Sequence, residues 1–275
     1  MLLTIDIGNS SIVLAAYNEG DAPVASWRLP TDRQGRPDEY QRAVCQHWQR
    51  SGFGARDFED AALCSVVAPL TELWSGMLAE MLDREPLVLH PRMNLGLTLD
   101  VRSPDKVGMD RLADAVAVWE LSRSAAVAVD FGTATTFNVV DAAGRFRGGA
   151  IAPGLATAAD SLAENAPALL RLNSASVESS LPSPGFELIP PSSAIGRDTN
   201  EALRSGIVLG YTGLVEGLLA RIRHELETPV SVIATGGLGR IITPLTSSID
   251  SYDPWLTQSG IRSLYRLNAD KGRQK

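Results

Sequence analysis

Two segments of this chain place a carboxylate, a glycine and small hydroxyl side chains at matching spacing. The first is Leu3-Thr4-Ile5-Asp6-Ile7-Gly8-Asn9-Ser10-Ser11-Ile12-Val13. The second is Val127-Ala128-Val129-Asp130-Phe131-Gly132-Thr133-Ala134-Thr135-Thr136-Phe137. Each runs from an apolar stretch into Asp-x-Gly and a polar cluster, then into a second apolar stretch, and Asp6 and Asp130 lie 124 positions apart. Glycine permits a tight hairpin whose backbone N–H groups approach an anion closely. The hydroxyls of Ser10, Ser11, Thr133, Thr135 and Thr136 add donors. An aspartate at the strand end suits a hydrated Mg²⁺, which keeps several waters and takes one or two carboxylates. A plain β-turn uses the same residue types. Two matched copies half a chain apart point instead to a repeated phosphate-binding corner, two of which could clamp one triphosphate.

A third feature follows them. Val232-Ile233-Ala234 runs into Thr235-Gly236-Gly237, where bare backbone could receive a flat adenine or ribose. Between the first two lies Gly108-Met109-Asp110-Arg111, at the start of an Ala-rich segment of helical period. A carboxylate there is favoured by the helix dipole as a simple first-turn acid. It is also suited to accept the proton of an alcohol during phosphoryl transfer. Arg111 could hold a carboxylate of the substrate.

Alternating strands and helices must position these groups. Apolar runs predict strands over residues 2–7, 11–17, 61–67, 86–90, 126–130, 135–141 and 230–234. Helical spacing predicts helices over residues 38–51, 71–83, 105–122, 201–226 and 257–268. The pattern is α/β, with mixed sheets flanked by helices in two similar domains. The expected division is residues 1–118 and 119–275. A Pro/Ser-rich stretch from Ser174 to Ser193 reads as an irregular excursion.

Composition narrows the chemistry. The 275 residues are 44% hydrophobic and 21% charged with net charge −7, so the chain can bury a core and offers no basic patch for nucleic acid. The basic tail from Lys271 to Lys275 reads as a solvated end. Cys45 and Cys64 have no metal-binding spacing and read as reduced thiols, and His47, His90 and His224 are scattered. The N-terminus lacks a signal-peptide pattern and no apolar run reaches the length of a membrane span. The expectation is a cytoplasmic protein with no membrane partner.

In order, the three turns resemble those of the superfamily of sugar kinases, heat-shock ATPases and actin, which implies two actin-like (ribonuclease H-like) domains. The resemblance sharpens to the type III pantothenate kinases across residues 2–268. It is carried by Asp6-Ile7-Gly8-Asn9-Ser10, Gly108-Met109-Asp110-Arg111, Asp130 to Thr136, Gly148 to Gly154, Ile195 to Thr199 leading into Ser205-Gly206-Ile207, and Thr235-Gly236-Gly237. It implies ATP-dependent phosphorylation of pantothenate, with Mg²⁺ and a monovalent cation, K⁺ or NH₄⁺, in a homodimer. Asp6, Ile7, Gly8, Asn9, Ser10, Ser11, Ile12 and Val13 would form the first phosphate turn, with Asp6 near Mg²⁺. Gly108, Met109, Asp110 and Arg111 would line the pantothenate site, with Asp110 as proton acceptor. Asp130 would bind the monovalent cation, and Thr133, Gly236 and Gly237 would contact ATP. Thr199 would reach pantothenate across the dimer interface. Three positions depart from the family pattern: Val101 stands where a tyrosine is expected, Met109 replaces a small residue, and Asn138 replaces an aspartate. Rival readings are a kinase for another small alcohol, a phosphohydrolase of the same superfamily, or a non-catalytic nucleotide-binding regulator.

The segment from Glu201 to Leu226 also carries Gly206, Gly210, Gly213 and Gly217 on one helical stripe. Each costs about 1 kcal/mol relative to alanine. The expectation is a close approach of another helix or a sheet, near a dimer seam. The alternative is a helix broken at these glycines.

Overall fold

Leu3, Ile5 and Ile7 alternate along the first strand and are fully buried, while Thr4 and Asp6 point to the opposite face. That alternation organises the first of two units in the computed structural model, which describes residues 1–166 and 188–272. The strands are β1 (Leu2–Ile7), β2 (Ser11–Tyr17), β3 (Ala25–Pro30), β4 (Asp60–Ser65) and β5 (Leu87–Val88). They form a sheet in the order β3-β2-β1-β4-β5. β1 and β2 pair antiparallel, as do β2 and β3, whereas β4 pairs parallel with both β1 and β5.

Helices α1 (Pro37–Arg50) and α2 (Ala68–Leu82) cover the apolar face, where Tyr40, Val44, Trp48, Leu70 and Trp74 join Leu3, Ile5 and Ile7 in one core. Burying a side chain of that size stabilises the unit by roughly 1.5–3 kcal/mol. β6 (Thr98–Leu99) and a single 3₁₀ turn at Pro104–Lys106 lead to α3 (Met109–Ser122). The helix therefore starts at Met109 rather than at 105. Pro104 supports only the 3₁₀ turn, and Gly108 caps the helix without a side chain.

The second unit repeats this plan. β7 (Ala126–Phe131), β8 (Ala134–Val140), β9 (Arg145–Pro153), β10 (Ser231–Thr235) and β11 (Ser251–Tyr252) lie in the order β11-β10-β7-β8-β9. β7 and β8 are antiparallel, and β10 is parallel to both β7 and β11. Apart from β6, which adds a sixth strand beyond β9, this is strand for strand the order of the first sheet, so the repeat seen in the sequence is a repeat of topology. Its helices are α4 (Leu155–Asn165), α5 (Thr199–Arg204), α6 (Gly210–Leu226) and α7 (Gly239–Ile242). Tyr211, Val215 and Leu219 of α6 pack with Val127, Val129 and Phe137 in the core.

The two units divide differently from the expected boundary at residues 118 and 119. The first contains Met1–Arg123, Ala142–Arg147 and Trp255–Lys275, and the second contains Ser124–Asp141 and Gly148–Pro254. The physical reason lies in α8 (Leu256–Gly272), which packs along α3 and β1. Gly260 sits so close to α3 that an added Cβ would collide with the Ala113 backbone. The start of β9 also belongs to the first unit, where Thr98 and Leu99 pair with Arg145 and Phe146.

The glycine-bearing helix is continuous from Thr199 to Leu226, with a π-helical segment at Ser205–Leu209 between α5 and α6. The expected close approach is not made among the described residues. A Cβ added at Gly206, Gly210, Gly213 or Gly217 meets nothing within 4 Å. By length and composition this helix could cross a membrane, yet Tyr211, Val215 and Leu219 are buried in the core of their own unit. Most of the Pro/Ser-rich stretch, residues 174–187, and the last residues of the basic tail, 273–275, lie outside the described residues.

Candidate active site

In the first unit the turn between β1 and β2 is closed by Gly8 N donating to the Ser11 carbonyl at 3.0 Å. An outer loop braces it. Thr31 donates through Oγ1 to the Gly8 carbonyl at 2.7 Å and through its N–H to the Ser10 carbonyl at 3.2 Å. Two guanidinium groups reach the same turn: Arg28 Nη1 donates to Ser11 Oγ at 2.7 Å, and Arg33 Nη2 donates to Asn9 Oδ1 at 2.7 Å. The turn carbonyls are thus engaged by the loop, and positive charge stands beside the exposed Asn9 and Ser10. The turn is legible in the sequence, whereas the arginines that reach it are not. Their signal was only an Arg-rich stretch after a predicted turn.

Asp6 leaves the end of β1 beside this turn. Its register partner on β4 is Cys64, and the Cys64 thiol hydrogen-bonds to the Asp6 carboxylate. Burial, followed by the negative charges of Asp6, Asp110 and Asp114, pushes the Cys64 thiol well above its ordinary value. The negative charges of Asp6, Asp110 and Asp114 thus all act on one buried sulfur, which places Asp6 and Asp110 in the same region of one unit.

Asp110 is the second residue of α3, after the Gly108 cap. Its Oδ1 accepts from the Arg111 N–H at 2.7 Å. Burial raises its carboxyl above the ordinary value, against the opposing effect of the Arg111 N–H and guanidinium. Gly108 is required here, because a Cβ would crowd the Asp110 carboxylate and meet Val66. Burial conversely lowers the Arg111 guanidinium, which the carboxylates of Asp110 and Asp114 partly restore. Its Cζ lies 5.8 Å from the centroid of the Phe146 ring, a cation–π contact. Val101 follows Asp100, whose N–H donates to the Phe146 carbonyl at 3.0 Å and whose carboxylate pairs with Arg147 at 3.2 Å. Met109 is buried.

In the second unit, Asp130 ends β7 and Thr235 ends β10 as its register partner. The second and third sequence features therefore stand side by side. Gly236 has φ +83°, and an added Cβ would collide with Asp130 Oδ1 and the Phe131 carbonyl. Tyr252 Oη holds the Gly236 carbonyl at 3.0 Å, and Gly237 is open. Oxygen atoms of Asp130 and Phe131 thus border a space kept free of any Cβ. The Thr133 carbonyl accepts from Gly154 N at 3.0 Å and from Thr157 Oγ1 at 2.7 Å, a second threonine brace on a second turn. Tyr211 Oη bridges Thr135 Oγ1 at 2.6 Å and the Pro153 carbonyl at 2.8 Å. Asn138 is fully buried, with Nδ2 donating to Thr136 Oγ1 at 3.1 Å. Thr199 opens α5 behind its cap Asp198, which accepts from the Glu201 N–H at 2.9 Å.

A profile described as type III pantothenate kinase matches residues 2–221. The type III pantothenate kinase of Moorella thermoacetica is 38% identical over 268 residues, covering 98% of this chain and all of its own. That of Geotalea daltonii is 37% identical over 270 residues, covering 98% of this chain and all of its own. Among solved structures, a ROK family glucokinase from Streptomyces griseus with glucose and AMPPNP aligns with a TM-score of 0.53 at 14% identity, over 96% of this chain and 99% of its own. A conserved Baf-family protein of Campylobacter jejuni aligns at 0.59 and 18%, over 98% and 99%. The structural likenesses identify the fold as that of the actin-like sugar kinases.

Proposed function

We propose a residue-level reading that proceeds from one fact: the chain belongs to the type III pantothenate kinase family. The protein transfers the γ-phosphate of ATP to pantothenate, in coenzyme A biosynthesis. In our reading Asp110 is the proton acceptor. The pantothenate primary hydroxyl gives its proton to the Asp110 carboxylate as its oxygen bonds the γ-phosphorus. The bond from that phosphorus to the β-phosphate bridging oxygen breaks, giving 4′-phosphopantothenate and ADP. The observation that carries the reading is the Asp110 carboxylate itself: half-buried at the start of α3 and, like Asp6, near the buried Cys64 thiol, with desolvation raising its carboxyl above the ordinary value. Arg111 would hold the pantothenate carboxylate, and its backing by Phe146 would orient the planar fork. Gly108 and Met109 would complete that side of the pocket.

Residues Asp6 to Val13 and Thr133 would contact ATP phosphates, and Gly236 and Gly237 would contact ATP at its adenosine. ATP is used with Mg²⁺, which neutralises charge on the phosphate oxygens. Among the described residues no group of three or more His, Cys, Asp or Glu forms a metal cage. A single turn carboxylate, Asp6, with neighbouring hydroxyls fits an ion that keeps most of its waters. Asp130, with the Phe131 carbonyl near it, would supply oxygen donors to a monovalent cation, K⁺ or NH₄⁺. The open glycine stripe on α6 and the exposed Ile195 and Leu214 support a homodimer in which Thr199 reaches the partner's pantothenate. The expected setting is the cytoplasm.

The test is turnover of ATP with pantothenate, parent against Asp110→Asn. The variant should bind ATP and lose phosphoryl transfer. Full turnover in the variant would remove Asp110 as the base.

A further inference from the structure

We infer that Thr257 and Gln258, consecutive residues at the start of α8, are positioning residues that hold the base-bearing helix and the phosphate-turn hairpin in a fixed relation. The inference rests on the reading of Asp110 as the base.

The two side chains point to different neighbours because successive helical residues are rotated by about 100°. Thr257 Oγ1 donates to Asp114 Oδ1 at 2.7 Å, 143 residues away in sequence. Asp114 is only 1% exposed and lies one helical turn beyond Asp110, so the two carboxylates share a face of α3. Gln258 turns to the sheet and uses both ends of its amide. Oε1 accepts from Thr4 Oγ1 at 2.5 Å, and Nε2 donates to the Val13 carbonyl at 3.1 Å.

These anchor points are placed around Asp6. Thr4 is two residues before Asp6 on the same face of β1. Val13 is the residue of β2 that pairs directly with Asp6. One turn of α8 therefore grips the strand pair at the root of the phosphate turn and the helix that carries Asp110.

The short reach of threonine and glutamine requires the helix backbones to be close. Gly260 supplies that, since a Cβ there would strike the Ala113 backbone. Thr4, Asp114 and Gln258 are buried together at 0%, 1% and 3% exposure. Buried polar groups that merely satisfy one another add little net stability over an apolar layer, but they define one geometry. A fixed geometry is what transfer between a held hydroxyl and a held phosphate needs, where a displacement of about 1 Å can cost roughly 100-fold in rate.

The experiment uses the full-length enzyme with Thr257→Val, which keeps the side-chain shape and removes the donor, and Thr257→Ser, which restores it. Gln258→Glu, which keeps the acceptor for Thr4 and loses the donor to Val13, is the second probe. The expected result for Thr257→Val is a fall of roughly 10- to 100-fold in kcat, with KM for ATP within about twofold of the parent. Thr257→Ser should recover most of the loss, and Gln258→Glu should show the same split. A parental kcat in both Thr257→Val and Gln258→Glu would overturn the inference. So would a loss in Thr257→Val that Thr257→Ser does not relieve. If Thr257→Val does not fold, Gln258→Glu decides alone by the same kcat criterion. Asp110→Asn is run beside them. Turnover retained there would refute the base itself. An inactive Asp110→Asn beside parental Thr257 and Gln258 variants would refute only the positioning role.

Discussion

Arg33 donates to Asn9 across 2.7 Å, joining the loop after β3 to the turn between β1 and β2. In the proposed reading an arriving phosphate meets that guanidinium and the one on Arg28. Arg33→Gln should therefore raise KM for ATP by roughly 3- to 10-fold, with KM for pantothenate unchanged. Steady-state kinetics with each substrate varied in turn checks this. An unchanged KM for ATP would reduce Arg33 to a brace for the turn.

Asp110→Asn should lower kcat/KM by roughly 10²- to 10⁴-fold. In the parent, the acid limb of the pH–rate profile should lie above the ordinary aspartate range, because burial favours the protonated carboxyl and only the ionised form accepts the proton. The same shift has a stability consequence. A carboxyl whose folded value is raised contributes stability fully below its unfolded value of about 4, and that contribution is lost as pH rises through the folded value. Asp110→Asn escapes this loss. Its melting temperature should exceed the parent's at pH 7, and the gap should shrink toward pH 4. A gap that widens on acidification would contradict the burial argument.

Cys64 should resist alkylation in the native enzyme at neutral pH. Its thiol is fully buried and held protonated beneath three carboxylates, whereas Cys45 is half-buried on α1. Mass spectrometry after iodoacetamide treatment should find label on Cys45 first, and on Cys64 only after denaturation. Native labelling of Cys64 would mean the strand ends open far more readily than their packing implies.

Gly236→Ala should abolish stimulation by K⁺ or NH₄⁺. The new methyl group would occupy the space bordered by the Asp130 and Phe131 oxygens, at a backbone angle already unfavourable for alanine. Activity titrated with each cation is the measurement, with thermal melting to separate strain from lost binding. Parental stimulation in a folded variant would move the cation site elsewhere.

Gly210→Leu adds its side chain at a position where a Cβ meets nothing within 4 Å among the described residues. A monomer should therefore keep its melting temperature or gain slightly from the better helix former. In the proposed dimer the leucine instead obstructs the partner. Sedimentation should show a mass falling from two chains to one, and an intact dimer would place the seam on another face.

The parts of the site that could be read from the sequence are those built from neighbours. Asp6 with Gly8, Asp130 with Gly132, and Gly236 each act through a turn only a few residues long, so spacing alone reports them. The strand and helix positions around them followed from apolar period, within a few residues at the ends. What escaped depends on distant partners. Nothing in the sequence around Asp114 points to Thr257, 143 residues away. Nothing in the spacing of Arg33 points to Asn9, 24 residues before it. The π-helical segment at Ser205–Leu209 leaves no mark on apolar spacing, and the return of α8 to the first unit could not be read from a boundary drawn at residue 118.

That return sets an order of events during synthesis. The strands carrying Asp6 and the helix carrying Asp110 emerge from the ribosome well before the α8 segment that closes over Thr4, Val13 and Asp114. Until residues 256–272 arrive, the face of β1 and α3 that α8 covers stays open to solvent. The unit begun before the second is thus completed after it, and a ribosome that stalls after residue 254 leaves a chain holding every proposed catalytic group but unable to shut the unit that contains Asp110.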